Sequence, residues 1–547
     1  MGGEAENSGL NQWVHSLSII LGCLDHKKAE ACSITLVPEQ LRRSKEEAYT
    51  PHVVSVGPLH KGKRTDLLYM EEIKLRCMLY LLYRCKNVDI NKLDQVLLNC
   101  GKAMLKLDEI VRGSYNVDDL KLNRNDLAKI MVLDGCFLLE LLISGSPELN
   151  EKLESQLDGL SSGIEVIQRE KVLSDLIMLE NQIPLIVLGK LFTTLFPENL
   201  TKDDNDGIRL IREHALSILG YDYSTLGSSY SSELKGFHFL ELVHSFIDKE
   251  KEQDKATKQN ANAAVENNEV NNASAIDIPT DKVAKQNANA SVENNASAIG
   301  TRSKKDANTS HGQRKLSRCA TRLEAAGIKI KPPEGVTSES RRASEARFDL
   351  KITFSKEKGI LEIPQLHITE TTEAKWRNLI AWEVNRITLE KQRGKKARFT
   401  CHFIFYAWFV QSLICSVHDL KLLKDRHVIE VHESMSNEDL MNMLRKITEG
   451  VPDAEIDHEI DMDSWFRQVI NELNSYPTTV DRARKTRKVL GHIFRRVLTW
   501  IWYKCRGAYG LLRRDYMPNG WRVIAVLAAA TALTLTAIQT HYAIHRN

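Results

Sequence analysis

Residues 67–84 read LLYMEEIKLRCMLYLLYR, and their spacing sets the class of the fold. Leu67, Met70, Ile73, Cys77 and Leu81 recur at three- and four-residue intervals, the period of a helix with one apolar face. Moving outward, Asn91–Arg112 repeats the pattern, and Asp126–Ile143 follows with Asp126 as a candidate N-cap. Lys171–Phe196 holds two helical stretches, because Pro184 must end or kink the first near Ile183. Phe237–Ile247, Thr372–Lys391, Phe399–Leu423 and Asn437–Ile447 also carry the helical period. Phe348–Phe354 (FDLKITF) instead alternates strictly, as a half-buried strand does, and Gly359–Thr369 is a second strand candidate after a turn at Lys358–Gly359. Pro364 asks for an edge position or a bulge there. Residues 1–66 look irregular, with VPEQLRR and TPHVVSVGP as short ordered pieces. The expected class is mainly α: a helical bundle or array with one small β-hairpin, plus a C-terminal transmembrane helix.

The last expectation rests on Trp521–Ala543, WRVIAVLAAATALTLTAIQTHYA, which has no charge after Arg522. As a helix it would be about 34 Å long, against a hydrocarbon core of about 30 Å. Its apolar residues, Val523, Leu527, Leu533 and Ile538 among them, together go all the way round it, and Trp521 and Tyr542 stand near its ends, where amphipathic rings favour an interface. The flank before it is basic, with Arg495, Arg496, Lys504, Arg506, Arg513 and Arg514. Positive flanks stay cytoplasmic, so a single C-terminal anchor would leave the bulk of the chain on that side. Val489–Leu512 mixes these cations with Phe494, Trp500, Trp502 and Tyr503, which suits either an interfacial helix on anionic lipid or one packed on the globular part.

The net charge is +3 over 547 residues, which does not suggest a nucleic-acid binder. The 10 cysteines are scattered without a C-x-x-C pair, so buried reduced thiols are expected. The N-terminus, MGGEAENSGL, is acidic and lacks the basic start of a signal peptide. Glu6 stands where a myristoylated Gly2 would want Ser or Thr. At 249–316 Asn, Ala, Lys and Ser take over, and Lys258–Ile276 recurs in shortened form as Lys285–Ile299. So few large apolar groups cannot offset ordering entropy, so this segment reads as a disordered insertion. Four of the five N-x-S/T sequons (Asn199, Asn272, Asn289, Asn295, Asn308) fall in it.

Chemical motifs are sparse. Gly57–Arg64 (GPLHKGKR) approaches a P-loop, but Arg64 replaces the magnesium-holding Ser or Thr, and Pro58 lacks an N–H. Asp453–Asp463 has alternate carboxylates without the glycine and final glutamate of a calcium loop. His541 and His545 have no third ligand nearby. No catalytic residue, cofactor site or metal site is expected. Asp134, Asp175 and Glu180 are acids on otherwise apolar stretches. They read as helix caps or buried ion pairs, with Asp175 and Glu180 as the candidate acid and base should the protein be an enzyme.

Several stretches together carry a resemblance. They are AYTPHVVSVGPLHKG (48–62), YMEEIKLR (69–76), MVLDGCFLLELL (131–142), DLIMLENQIPLIVLGKLF (175–192), ATRLEAAGIKIK (320–331), GILEIPQLHITETTEAKWRNLIAWE (359–383), SLICSVHDLKLLKDRHVIE (412–430) and the last 30 or so residues from Arg513. The chain resembles the plant domain-of-unknown-function 247 family, also called uncharacterised protein family 0481, from roughly residue 34 to the end. It departs at His60–Lys61, where His–His is usual, at Asn519–Gly520, where proline commonly precedes the tryptophan, and in the Asn-rich insertion. The resemblance implies a plant membrane protein with one C-terminal helix and no known catalytic activity; some grass members are proposed as pollen-side determinants of self-incompatibility. The expected organisation is a variable segment (1–33), a helical N-terminal part (34–248), the insertion (249–316), a C-terminal part with the hairpin (317–480), a basic juxtamembrane segment (481–520) and the anchor (521–543). The expected partners are membrane lipid and unidentified proteins, with no nucleic acid and no small-molecule substrate. The expected role is recognition or scaffolding, with a membrane-tethered enzyme using Asp175 and Glu180 as the alternative.

Overall fold

The computed structural model describes residues 34–85, 93–116, 120–153, 162–197, 204–273, 315–334, 347–392, 400–432, 435–452, 464–476 and 520–544. Most of these lie in one compact unit, made of the described residues through Arg322 together with those within Lys329–Ser475; Leu323–Ile328 and the described residues from Tyr476 onward belong to a second.

Helix α1 is Glu39–Ser44, α2 Leu68–Arg84, α3 Leu93–Lys106 and α4 Arg124–Gly145. The long α4 is buried almost throughout and packs on α2 and α3. Its N-cap is Asn123, whose side chain accepts from the backbone N–H of Asp126; Asp126 was expected in that role and lies in the first turn instead. The expected helix at Asn91–Arg112 is broken at Leu107, and Asp108–Gly113 is a separate short helix. Helix α5 is Arg169–Leu176 and α6 Leu185–Leu195, with Pro184 as its N-cap. Pro184 therefore does more than kink a helix: residues 177–184 leave helical geometry altogether. Gly135 lets α4 approach α6, since a Cβ there would lie 2.3 Å from a Leu191 methyl.

Helix α7 is Asp204–Ile218 and α8 Phe239–Ala273. The latter runs well past residue 249, where a disordered insertion was expected to begin. Ala, Gln, Lys and Glu are good helix formers, and a helix already anchored by Phe239, Leu240, Val243 and Phe246 can extend on propensity alone. The rest of the insertion, 274–314, lies outside the described residues. Helix α9 is Thr372–Gln392, α10 His402–Leu413, α11 Val417–Asp425, α12 Asn437–Lys446, α13 Ser464–Ser475 and α14 Gly520–Ile544.

Strands are short. β1 (Ile34–Thr35) pairs in parallel with β2 (Tyr115–Asn116). β3 (Lys329–Lys331) is parallel to β5 (Ile360–Glu362), which also pairs antiparallel with β4 (Thr353–Ser355). The β4–β5 pair is a hairpin where one was expected, but β4 keeps only Thr353 and Phe354 of the expected Phe348–Phe354 strand and adds Ser355. β6 (Leu366–Ile368) belongs to a different sheet, parallel to β7 (Ile429–Val431), so the single strand expected over Gly359–Thr369 is split at Pro364.

The two halves of the sequence share this unit. The Asn385 side-chain amide donates to Thr35 Oγ1 (2.8 Å) and to the Leu36 carbonyl (3.0 Å), Asn378 donates to the Ala48 carbonyl (2.8 Å), and Arg377 donates to Ser44 Oγ (3.1 Å). The 34–50 segment is thus sewn onto α9.

The expected transmembrane helix is matched in position but not shown as a span. Helix α14 forms where it was expected, over the 25 residues Gly520–Ile544, and the continuous part of it whose side chains are described, Ile524–Gln539, is apolar. Among the described residues, no single helix is long and apolar enough to cross a membrane. Helices α10 and α11 together have the composition of a broken span, bent by 107°, yet Phe403, Ile404, Phe405 and Phe409 are core residues. A helix apolar all round is here simply buried all round.

Candidate functional site

Residues 51–60 (PHVVSVGPLH) form no helix or strand, yet Val54, Ser55, Val56 and His60 are buried. Buried backbone groups must find partners, and here side chains supply them. The Asp175 carboxylate at the end of α5 accepts from the N–H groups of His52 (3.0 Å), Val53 (2.7 Å) and Val54 (2.9 Å). Asn181 accepts from Val56 N–H (2.6 Å) and donates to the Val54 carbonyl (3.0 Å). Asp134 on α4 accepts from Gly57 N–H (2.9 Å) and from the Lys74 ammonium (2.6 Å), which also donates to the Ser55 carbonyl. Gly57 has φ +77°, and a Cβ there would meet the Gln182 carbonyl at 2.4 Å, so only glycine fits. That carbonyl also accepts from the Tyr115 hydroxyl at 2.9 Å.

Glu180 serves the segment just upstream. It accepts from Val37 N–H (2.8 Å) and from the Arg42 guanidinium, and His60 Nε2 lies 3.2 Å from its other oxygen. Burial pushes the Glu180 carboxyl up, but His60, the Val37 N–H and the Arg42 charge outweigh it and hold it below the usual range. Leu179 N–H donates to Asn378 of α9 at 3.0 Å. The 177–184 segment is therefore a hub joining the 34–60 segment to α5 and α9.

Asp134, Asp175 and Glu180, singled out in the sequence, do come together around one loop. None of the three is more than 3% exposed, and each is occupied with backbone N–H groups or a cation. Two further acids do similar work unnoticed in the sequence. Glu140 makes a two-pronged pair with Arg84, at 2.9 Å on each prong. Glu383 accepts from the N–H groups of Phe403 and Ile404 at the start of α10; full burial pushes its carboxyl up to about 8. Nothing in sequence spacing flags these, since each partner lies many residues away.

Two cavities are lined by other residues. A groove of about 320 Å³ lies among α2, α3 and α4, walled by Leu75, Met78, Leu97, Leu105, Val132 and Leu133. A polar cleft of about 590 Å³ runs beside α8, where Asp248 and Lys251 hold the two ring nitrogens of His402 at 2.6 Å and 2.8 Å. Of the expected anchor residues, Trp521 (84%), Leu527 (61%), Leu533 (72%) and Ile538 (54%) are exposed; the side chains of Val523 and Tyr542 lie outside the described residues. So do all six cations of the basic flank, Arg495, Arg496, Lys504, Arg506, Arg513 and Arg514.

Residues 34–535 match DUF247, described as a plant protein of unknown function. One UPF0481 protein of Arabidopsis thaliana is 25% identical over 527 residues, covering 95% of this chain and 88% of the relative. A second from the same plant is 22% identical over 548 residues, covering 93% and 89%. No solved structure matches the chain.

Proposed function

Since the chain belongs to the DUF247 family of plant proteins of unknown function, we propose that it is a membrane-held recognition or scaffold protein without catalytic activity of its own, with its bulk on the cytoplasmic side. The observation that carries this reading is α14. Its apolar side chains, Trp521, Ile524, Leu527, Leu533, Leu535 and Ile538, are each more than half exposed. So much uncovered apolar surface on one helix calls for lipid or a partner. The hydroxyls of Thr531, Thr534 and Thr536 bond back to carbonyls of their own helix, at 3.0, 3.1 and 2.7 Å, so none of these three needs water.

The non-catalytic part of the reading is supported by the hub. The acids that the alternative would use, Asp175 and Glu180, are engaged with backbone and Arg42, and an engaged, buried carboxylate is poorly placed to move a substrate proton. The apolar groove among α2, α3 and α4, with exposed Leu75, Leu79 and Leu98 close by in sequence, is the natural place for a protein partner.

Deleting 520–547 tests the anchor. The truncated chain is expected in the soluble fraction, while the full chain resists carbonate extraction. If the truncated chain still resists, the anchor lies elsewhere. Orientation is read separately: a cytoplasmic bulk carries no N-glycan at Asn199, Asn272, Asn289, Asn295 or Asn308, and a mobility shift after endoglycosidase treatment would reverse the topology.

A further inference from the structure

We propose that His367, Glu430 and His432 form a binding site for one divalent transition-metal ion of the zinc type. The site is built by the parallel pair β6–β7. His367 is the register partner of Glu430, and the Leu366 N–H to Val428 carbonyl (2.8 Å) and His432 N–H to Ile368 carbonyl (3.0 Å) bonds lock the two strands at either end. Side chains alternate along a strand. Leu366, Ile368 and Ile429 therefore turn into the core, and His367, Glu430 and His432 share the opposite face.

The donor atoms converge. His367 Nδ1 lies 3.0 Å from His432 Nε2 and 3.6 Å from Glu430 Oε2, and all three atoms fall within 4.8 Å of one another. Tetrahedral zinc with bonds of about 2.0–2.1 Å holds its ligand atoms about 3.3 Å apart. The observed distances bracket that value, so a small rotation of the half-exposed Glu430 completes the set. The Gln365 amide donates to Glu430 Oε2 at 2.8 Å, the kind of outer partner that orients a ligating carboxylate. Glu170 lies near enough for its charge to interact with His432, and Lys375, 3.8 Å from Glu170, offsets part of that charge.

Two imidazoles and one carboxylate suit zinc, and three protein ligands leave a fourth position for water or a partner's side chain. Without metal the rings share a hydrogen bond, one nitrogen donating. On binding, the donating ring moves its proton to its other nitrogen, so both lone pairs face the ion and no redox step is involved. A second convergence, Cys319, Cys415 and Asp419, is a weaker candidate, because the Asp419 carboxylate already accepts from Thr321 and Ser416.

The test uses the purified full-length chain, stripped with a chelator and titrated with Zn²⁺ against an indicator dye. One equivalent is expected to bind. His432→Gln and Glu430→Gln, both at exposed positions, are expected to weaken it by at least the ~10–100-fold seen when a mere outer-shell partner is lost. Cys415→Ser and His418→Gln are expected to leave it unchanged. Co²⁺ should give the intense visible band of a tetrahedral site, and Zn²⁺ should raise the unfolding midpoint of the wild type but not of His432→Gln. A histidine pair that only shares a proton gives no cobalt band and no midpoint shift, which overturns the proposal. Binding that survives His432→Gln but is lost in Cys415→Ser overturns it as well.

Discussion

Lys74 Nζ on α2 lies 2.6 Å from Asp134 Oδ1 on α4, and neither side chain is exposed at all. Burial pushes the Lys74 amine down, but Asp134 and Glu71 outweigh it and hold the cation above its usual range. Breaking one side of such a pair strands a buried charge. Lys74→Met is therefore expected to cost about 3–5 kcal/mol in urea unfolding. The double variant Lys74→Met/Asp134→Asn should cost less than the two single changes added together, because no net charge is then left buried.

Asp175 is the sole side-chain carboxylate on three consecutive loop N–H groups, those of His52, Val53 and Val54. Asp175→Ala should cost on the order of 3 kcal/mol or more, since a buried donor left without a partner costs about 1–3 kcal/mol. Hydrogen exchange should then show loss of protection at residues 52–54 before the helices open. If protection there is unchanged, the carboxylate does not hold the loop.

Gly57 and Gly62 both have positive φ, at 77° and 71°, but only Gly57 has a backbone carbonyl where a Cβ would stand. Gly62→Ala should cost about 1 kcal/mol, the strain of the left-handed conformation alone. Gly57→Ala must also push Gln182 aside, and is expected to lower the unfolding midpoint several times as much.

Asp419 caps α11 and receives the Thr321 N–H and hydroxyl at 2.9 and 2.7 Å. Burial pushes its carboxyl up, but the Thr321 groups, with Cys319 and Ser416, outweigh it and hold it at about 2, below the ordinary 3.8. The folded value is the lower one, so the folded state favours the charged form. The stability this group contributes is complete above about pH 4 and is lost as pH falls towards 2. Asp419→Asn should flatten the stability profile in that window and leave its shape above pH 5 unchanged.

Much of the helical layer was legible in the chain. α2, α9 and α12 start and stop within a residue or so of the expected bounds, because each has a clear apolar period and polar flanks. What was not legible shares one physical cause, long-range pairing. β1, β2, β6 and β7 are two or three residues long, too short to show alternation, and they exist because a partner 60 to 80 residues away supplies the other half of the ladder. The same holds for the hub. Asp175 looks like a misplaced acid on an apolar helix until the 52–54 backbone is laid against it. The pairing of His367 with Glu430 and His432 is equally silent, because its E-x-H triplet ends one residue past a three-residue strand and its third member lies 63 residues upstream of Glu430. The break at Leu107 shows no proline or glycine cue.

The seam between Thr35 and Asn385 spans 350 residues of chain. On a ribosome adding about 5–20 residues per second, the first strand emerges on the order of 20–70 s before its stitching partner does. For all that time the segment from Ile34 to Tyr49 has the apolar side chains of Ile34, Val37, Leu41 and Tyr49 to shelter and no α9 to shelter them. Completion of the earliest part of the fold is thus scheduled by one of the later parts, although β2 and Glu180 can engage the N-terminal segment sooner. A transcript cut short before the codons for Arg377 would yield a protein whose beginning, and not only its end, is unfinished.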